Sequence, residues 1–146
     1  MRHARNPQQK MLLPLSMVIA SLVLSAQVPS PAKVRIYRYR LTVGTARHPT
    51  VSCDAFPVAR MQNGRVYTIK VSAGWHVFAT TDDPTGIRVD ILPGREYFVR
   101  IDYPVNSTYS DRATATLVEP EQGRMETSKL RALDGQYIEA SACGNP

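Results

Sequence analysis

The fold is decided by residues 65–102, whose sequence is RVYTIKVSAGWHVFATTDDPTGIRVDILPGREYFVRID. Apolar side chains alternate with polar ones in three runs of this stretch: Tyr67, Ile69 and Val71, then Ile87, Val89 and Ile91, then Tyr97, Val99 and Ile101. Such strict alternation is typical of strands with one buried face and one face in water. The stretch therefore predicts antiparallel β-structure.

Short β-branched and aromatic runs continue on both sides of this stretch. Strands are predicted at Val34–Leu41, Thr50–Asp54, Val58–Met61, Arg65–Val71, Trp75–Thr80, Ile87–Ile91, Glu96–Asp102 and Arg112–Val118. Turn signals at Asn63-Gly64, which favours a tight hairpin, and at Ala73-Gly74 and Pro93-Gly94 separate successive runs and favour an antiparallel meander. The predicted fold class is all-β, a small antiparallel β-sandwich of about seven or eight strands, with a barrel as the alternative.

One segment departs from the β pattern. Glu121–Leu133 consists largely of good helix formers, and Met125, Leu130 and Leu133 can share one apolar stripe. We therefore expect one short C-terminal helix that packs across a sheet edge or an open end of the sheet.

The N-terminal segment has the pattern of a secretory signal. Met1–Lys10 is basic, with no acidic residue, and Met11–Ala26 is uncharged and apolar. The apolar run is shorter than the roughly 20 residues that cross a bilayer, which favours a cleaved signal peptide over a permanent anchor. Cleavage is expected near Ser25 or Ala26. An uncleaved anchor formed by residues 11–26 in the inner membrane is the alternative.

The expected organisation is a signal peptide at 1–26, a linker at 27–33 and a single β-sandwich domain at 34–146. The first cysteine of the chain is Cys53, so no lipid-modified cysteine follows the apolar run. The predicted location is the periplasm or the extracellular medium.

The charge of the chain argues against nucleic acid as a partner. The net charge is +6, with 18 basic and 12 acidic residues, and removal of Arg2, Arg5 and Lys10 would leave +3. Arg35–Arg40 interleaves arginine and tyrosine, but a strand would divide these side chains between two faces, so no purely basic face forms. We interpret this run as a solvated sheet edge protected by arginine.

Cys53 and Cys143 are the two cysteines of the chain. Because export would place both where thiols oxidise, we expect a disulfide that ties the C-terminal tail to an early strand. The alternative is two unrelated thiols, with Cys53 in the core and Cys143 in a frayed tail.

Four further segments carry a family resemblance. Val34–Arg38, Asp54 with Phe56–Ala59, Gly74–His76 and Gly94–Arg100 resemble, in this order, a family of bacterial envelope proteins of unknown function, the domain-of-unknown-function family twenty-eight forty-six. The resemblance implies a short Ig-like or transthyretin-like β-sandwich, and it implies no activity. The chain departs from the family pattern where Ala73 replaces a proline, Phe98 replaces a tyrosine, and no glycine follows Asp54.

The residues that suggest chemistry fit structural roles better. His76 follows a turn glycine and is expected to be a strand-end imidazole bonded to backbone. A zinc site could in principle be formed by His48, His76, Cys53 and Cys143, but their spacing fits no close-paired ligand motif. A disulfide would also remove the thiolates that zinc needs. No nucleophile elbow, phosphate loop, zinc-protease helix or dinucleotide fingerprint occurs in the sequence. We therefore predict no catalytic residues, no bound metal and no cofactor.

The loop from Tyr103 to Asp111 is the candidate binding surface, through Tyr103, Asn106 and Tyr109. The leading hypothesis is an exported non-catalytic envelope module that binds an envelope protein or another cell-surface component through loops or an exposed edge strand. One alternative is a metal-binding protein or hydrolase that uses His76 with a nearby aspartate. A second alternative is a membrane-tethered protein with its N-terminal anchor uncleaved.

Overall fold

The structure is a computed structural model and describes residues 26–40, 46–104 and 112–143. Its strands are β1 (Ala32–Tyr37), β2 (Thr50–Cys53), β3 (Phe56–Arg60), β4 (Arg65–Val71), β5 (Gly74–Thr80), β6 (Ile87–Ile91), β7 (Glu96–Asp102), β8 (Thr114–Val118) and β9 (Arg131–Ala132). A helix, α1 (Pro120–Thr127), precedes β9, and a 3-10 turn (Gly135–Tyr137) follows it. The predicted signal peptide lies outside the described residues apart from Ala26.

The strands form two sheets that pack face to face. One sheet has five strands in the order β8-β7-β1-β4-β9, and the other has four in the order β3-β2-β5-β6. The alternating residues of β4, β6 and β7 face the core between the sheets, where Ile69, Val89 and Val99 are buried. The predicted all-β sandwich with one short helix is confirmed.

The prediction of a meander was wrong. β1 pairs antiparallel with β4 but parallel with β7, and β9 pairs parallel with β4. The predicted hairpin at Asn63-Gly64 instead connects β3 of one sheet to β4 of the other, and Ala73-Gly74 and Pro93-Gly94 also cross between the sheets. A glycine turn reverses the chain but does not determine whether the next strand joins the same sheet.

The interpretation of residues 35–40 as a solvated edge was also wrong. β1 lies in the middle of its sheet, and the side chains of Tyr37 and Arg38 are buried. The strand begins at Ala32, which is buried and pairs with Val71, so the end of the predicted linker belongs to the fold.

The helix is shorter than predicted and buries a different face. α1 ends at Thr127, and part of the remaining segment forms β9. Met125 is 66% exposed, whereas Gly123 and Thr127 are buried. A Cβ atom on Gly123 would lie 2.2 Å from Cγ of Phe98 on β7, so the missing side chain is what allows the helix to cover the outer face of the five-stranded sheet. The predicted apolar stripe and the predicted packing at a sheet edge are therefore corrected.

Candidate functional site

A disulfide joins Cys53, at the end of β2, to Cys143 in the C-terminal segment, with Cα atoms 5.3 Å apart. The tail is held beside β4 as well, because the Cys143 N–H donates to the Lys70 carbonyl at 3.1 Å and Ala142 bridges to Lys70. Cys53 is buried and Cys143 is partly exposed. The predicted disulfide is present, and the alternative of two unrelated thiols was wrong.

The turn directly after Cys53 has an unusual backbone. Asp54 and Ala55 have φ values of 51° and 69°, and Cys53 pairs with Phe56 across this two-residue loop. Both positive φ values are those of a type I′ hairpin turn, in which asparagine and glycine are the favoured residues. The turn fixes the Asp54 side chain, whose Oδ1 atom accepts the Val77 N–H at 2.9 Å.

His76, on β5, completes a cluster with Asp54. Its Nδ1 atom lies 2.6 Å from Oδ2 of Asp54, and its Nε2 atom lies 2.8 Å from the Ser72 carbonyl oxygen. A carbonyl can only accept, so Nε2 carries a proton and donates it to Ser72. A second proton must lie between Nδ1 and Oδ2, because two acceptors without a proton would repel each other at this distance. The expected backbone bond of His76 is thus confirmed, with a carboxylate partner in addition.

The disulfide and the His76–Asp54 pair lie in direct contact. Sγ of Cys143 is 3.3 Å from Oδ2 of Asp54 and 3.5 Å from Nδ1 of His76. One ligand atom from each of Cys53, Asp54, His76 and Cys143 lies within 4.8 Å of the other three. We call these four residues the sulfur cluster.

The sequence offered two histidines, His48 and His76, as possible companions of the cysteines, and the structure brings one of them to the cluster. His48 packs on Tyr137 with ring centroids 5.0 Å apart and does not belong to the sulfur cluster. Asp54 was not considered as a member, although its position next to Cys53 was a usable signal. What brings Asp54 and His76 together is the pairing of β2 with β5, in which Cys53 faces Phe78.

The candidate binding loop is only partly described. Tyr103 packs against the core and under the buried Arg38 guanidinium, whose carbon is 4.6 Å from the ring centroid. Asn106 and Tyr109 lie outside the described residues. Tyr103 therefore has a packing role, which sequence reasoning did not anticipate.

A basic cleft of about 360 Å³ lies near the C-terminal end of β1. Four cationic side chains line it: Arg40, Arg65, Lys129 and Arg131. Arg65 is held by the Ala132 carbonyl at 3.2 Å and by Asp134 at 3.6 Å, while Arg40, Lys129 and Arg131 are exposed. These residues come from three separate segments, around positions 40, 65 and 129–131, so no local pattern in the sequence indicated the cleft.

A polar network joins α1 to the five-stranded sheet. Glu126 accepts hydrogen bonds from the Tyr37 hydroxyl, from Gln122 at 2.8 Å and from Arg100 at 3.0 Å. Burial alone would raise the pKa of the Glu126 carboxyl, but these hydrogen bonds lower it below its ordinary value. Burial, with the bond to Glu126, raises the pKa of the Tyr37 hydroxyl. Because Tyr37 and Arg100 of the sheet both donate hydrogen bonds to Glu126 of α1, the network anchors the helix to the sheet.

Within the described residues, no helix is long and apolar enough to cross a membrane. No family model, no curated protein and no solved structure matches the chain.

Proposed function

We propose that this protein is an exported, non-catalytic β-sandwich module of the bacterial envelope that binds an anionic group of another envelope component in the basic cleft. The observation that carries the proposal is the cleft itself, in which Arg40, Lys129 and Arg131 are exposed beside the anchored Arg65. The resemblance to envelope proteins supports the location.

The disulfide supports export. Bonds of this kind persist in the periplasm and outside the cell and are rare in the cytosol. The basic start and apolar run of residues 1–26 would deliver the chain to such a compartment. Export would leave the mature chain in the periplasm or the medium, and an uncleaved N-terminal segment would leave it tethered to the inner membrane.

The charges in the cleft support an anionic ligand. Four like charges that converge on one concave surface attract anions. Arg65 pairs with Asp134, whereas Arg40, Lys129 and Arg131 form no ion pair with a carboxylate of the described residues. The guanidinium groups of Arg40 and Arg131 suit the planar, two-point recognition of carboxylate or phosphate. Tyr39 and Met125, which are 47% and 66% exposed, line an adjoining cleft with Arg40 and Lys129. Glu126 lines this cleft too, but its carboxylate is engaged by Tyr37 and Arg100. An anionic group attached to an apolar body would contact both clefts.

A binding role is also favoured by the state of the groups that chemistry would need. Both ring nitrogens of His76 are engaged by acceptors, and Asp54 is bonded to both His76 and Val77. A general base would need a free nitrogen directed at a substrate.

The experiment is cross-linked co-purification of the tagged, oxidised protein from envelope fractions, scored by mass spectrometry. The test variant is R40E/K129E, and the matched control is K33E/R95E, which makes the same change of charge at two exposed positions near the start of β1 and β7. We expect one component to be recovered with the wild type and the control, and at least about tenfold less with R40E/K129E.

Recovery that falls as salt rises would agree with the electrostatic origin of binding. Equal recovery with all three proteins, or with an unrelated exported β-domain, would contradict the proposal. The intact mass of the exported protein tests its location: a mass that starts near Gln27 is expected, and a full-length mass in washed membranes would favour the tethered alternative.

A further inference from the structure

We infer that the sulfur cluster is a redox-gated zinc site, closed while the Cys53–Cys143 disulfide is intact and opened when a dithiol reduces it. The sulfur cluster lies on the four-stranded sheet and the tail, and it shares no residue with the basic cleft. A redox-gated zinc site goes beyond the proposed function, because it assigns to this β-sandwich a ligand and a controlled state that envelope binding does not require.

The four ligand atoms suit zinc in kind and number. Zinc prefers cysteine sulfur, histidine nitrogen and carboxylate oxygen, with four ligands at the corners of a tetrahedron. With Zn–S of about 2.3 Å and Zn–N of about 2.0 Å, neighbouring ligand atoms in such a site lie roughly 3.3 to 3.8 Å apart. Sγ of Cys143 already lies 3.5 Å from Nδ1 of His76 and 3.3 Å from Oδ2 of Asp54. Two separations have to widen: the 2.6 Å between Nδ1 and Oδ2, and the distance between the two sulfurs, which reduction of the disulfide releases.

The side chains are oriented by contacts that leave the right atoms for the metal. His76 donates Nε2–H to the Ser72 carbonyl, and this bond turns Nδ1 toward the sulfurs. Zinc-bound histidines almost always donate their other ring N–H to a carbonyl or carboxylate in this way. Asp54 is fixed in the same manner, because its Oδ1 atom is held by the Val77 N–H and Oδ2 is directed into the cluster. The outer contacts of a metal site are thus present in the disulfide form.

The disulfide is what closes the site. Thiolate is the form of cysteine that binds metals, and a disulfide sulfur has no such charge. Reduction by a dithiol breaks the S–S bond: two electrons and two protons give the Cys53 and Cys143 thiols, and the dithiol becomes a disulfide. Zinc binding then releases both thiol protons and the proton held between His76 and Asp54.

Solvent reaches the cluster from one side. Cys53 is fully buried, but the Asp54 side chain is 35% exposed, and Cys143 lines an open cleft of about 530 Å³ beside Lys70 and Ser72. Cys143 is also partly exposed, so it is the sulfur that an incoming thiolate attacks. A metal ion therefore has a route to the site.

The test uses the mature protein, reduced with a phosphine that is then removed without oxygen, and titrated with Co²⁺ and with Zn²⁺. Thiolate-to-cobalt absorption reports sulfur coordination, and competition with a chelating dye gives the zinc affinity. We expect the reduced protein to bind one equivalent of metal and the oxidised protein to bind none. The H76A variant should bind zinc at least about tenfold more weakly, and C53S/C143S should give no thiolate absorption.

The matched control is H48A, which removes an exposed histidine outside the cluster. H48A should bind zinc with the affinity of the wild type. If the metal were bound by an unfolded chain, H48A and H76A would lower the zinc affinity equally. If reduction loosens the fold, zinc should restore the near-ultraviolet circular dichroism of the oxidised protein. The inference is overturned if the reduced protein binds no zinc, if the oxidised protein binds it equally well, or if H76A and H48A behave alike. None of these results affects the test of the basic cleft, because that test uses the oxidised protein.

Discussion

Removing the disulfide is expected to destabilise the domain by several kcal/mol. Cys53 and Cys143 are 90 residues apart in sequence, and the chain-entropy relation for a loop of this length gives about 4.6 kcal/mol at 25 °C. A domain of this size has only about 5 to 15 kcal/mol of unfolding free energy, so the bond accounts for a large part of the total. Reduction of the wild type measures the contribution of the disulfide to the unfolding free energy without removing side-chain volume at the buried Cys53.

The assay is urea unfolding of the oxidised and reduced wild type, and of C53A/C143A, with a metal chelator present throughout. We expect the reduced protein to lose about 4 to 5 kcal/mol, and the alanine variant to lose somewhat more because the deletion leaves a cavity beside the core. A loss below about 1 kcal/mol would refute the reasoning, since it would mean that the tail is held to the sheet without the bond.

Three further changes test the packing of the helix and the turn. Gly123→Ala should destabilise the protein by about 2 kcal/mol, despite the better helix propensity of alanine, because the new Cβ would lie 2.2 Å from Cγ of Phe98. Urea unfolding should show a smaller loss of unfolding free energy when the same change is made in the F98L background. Ala55→Gly should stabilise by about 0.5 to 1 kcal/mol, because glycine relieves the φ of 69°, and a lower urea midpoint would contradict this. Glu126→Gln should reduce the acid sensitivity of folding. Because the pKa of Glu126 is lowered in the folded state, its ionised carboxylate stabilises the fold at pH values above its unfolded pKa of about 4.3. That stability is lost as the pH falls through the folded pKa. The difference in unfolding free energy between the wild type and the variant should therefore narrow from pH 7 to pH 3, as measured by urea unfolding at each pH.

The strands could be predicted from the sequence because their signal is local. Arg65–Val71, Ile87–Ile91 and Glu96–Asp102 have the predicted bounds, since alternation with period two directly reflects one buried face. Sheet membership could not be predicted in the same way. Each predicted glycine turn crosses between the sheets, and the parallel pairing of β1 with β7 joins residues about 63 positions apart, such as Lys33 and Glu96.

The helix shows why a hydrophobic pattern can mislead. Its buried face consists of Gly123 and Thr127, neither of which is strongly apolar, because close approach to Phe98 matters more there than hydrophobic area. Met125, which fitted the predicted stripe, faces solvent. Information of this kind lies in the fit between the helix and the sheet, and the sequence of the helix alone does not contain it.

The disulfide was predictable from the even cysteine count and the export pattern, but its neighbours were not. Asp54 and His76 meet because β2 pairs with β5 in one particular register, and a shift by one residue would direct His76 away from the core. Sequence spacing treated His48 and His76 as equivalent candidates. The sheet distinguishes them, because only His76 lies on the strand that faces Cys53.

The disulfide and the inferred zinc site would stabilise the fold by the same means. Either link joins Cys53 to Cys143 and therefore closes the same loop, whose entropy in the unfolded chain sets the stabilising effect. Reduction without zinc removes that link, and zinc bound by both thiolates replaces it. Metal binding to the folded state then stabilises it by an amount that rises with the logarithm of the free zinc concentration, once that concentration exceeds the Kd, as for any ligand of the native state. It follows that the reduced protein should regain much of its stability with zinc only when both cysteines and His76 are present, whereas the oxidised protein should unfold identically with or without the metal.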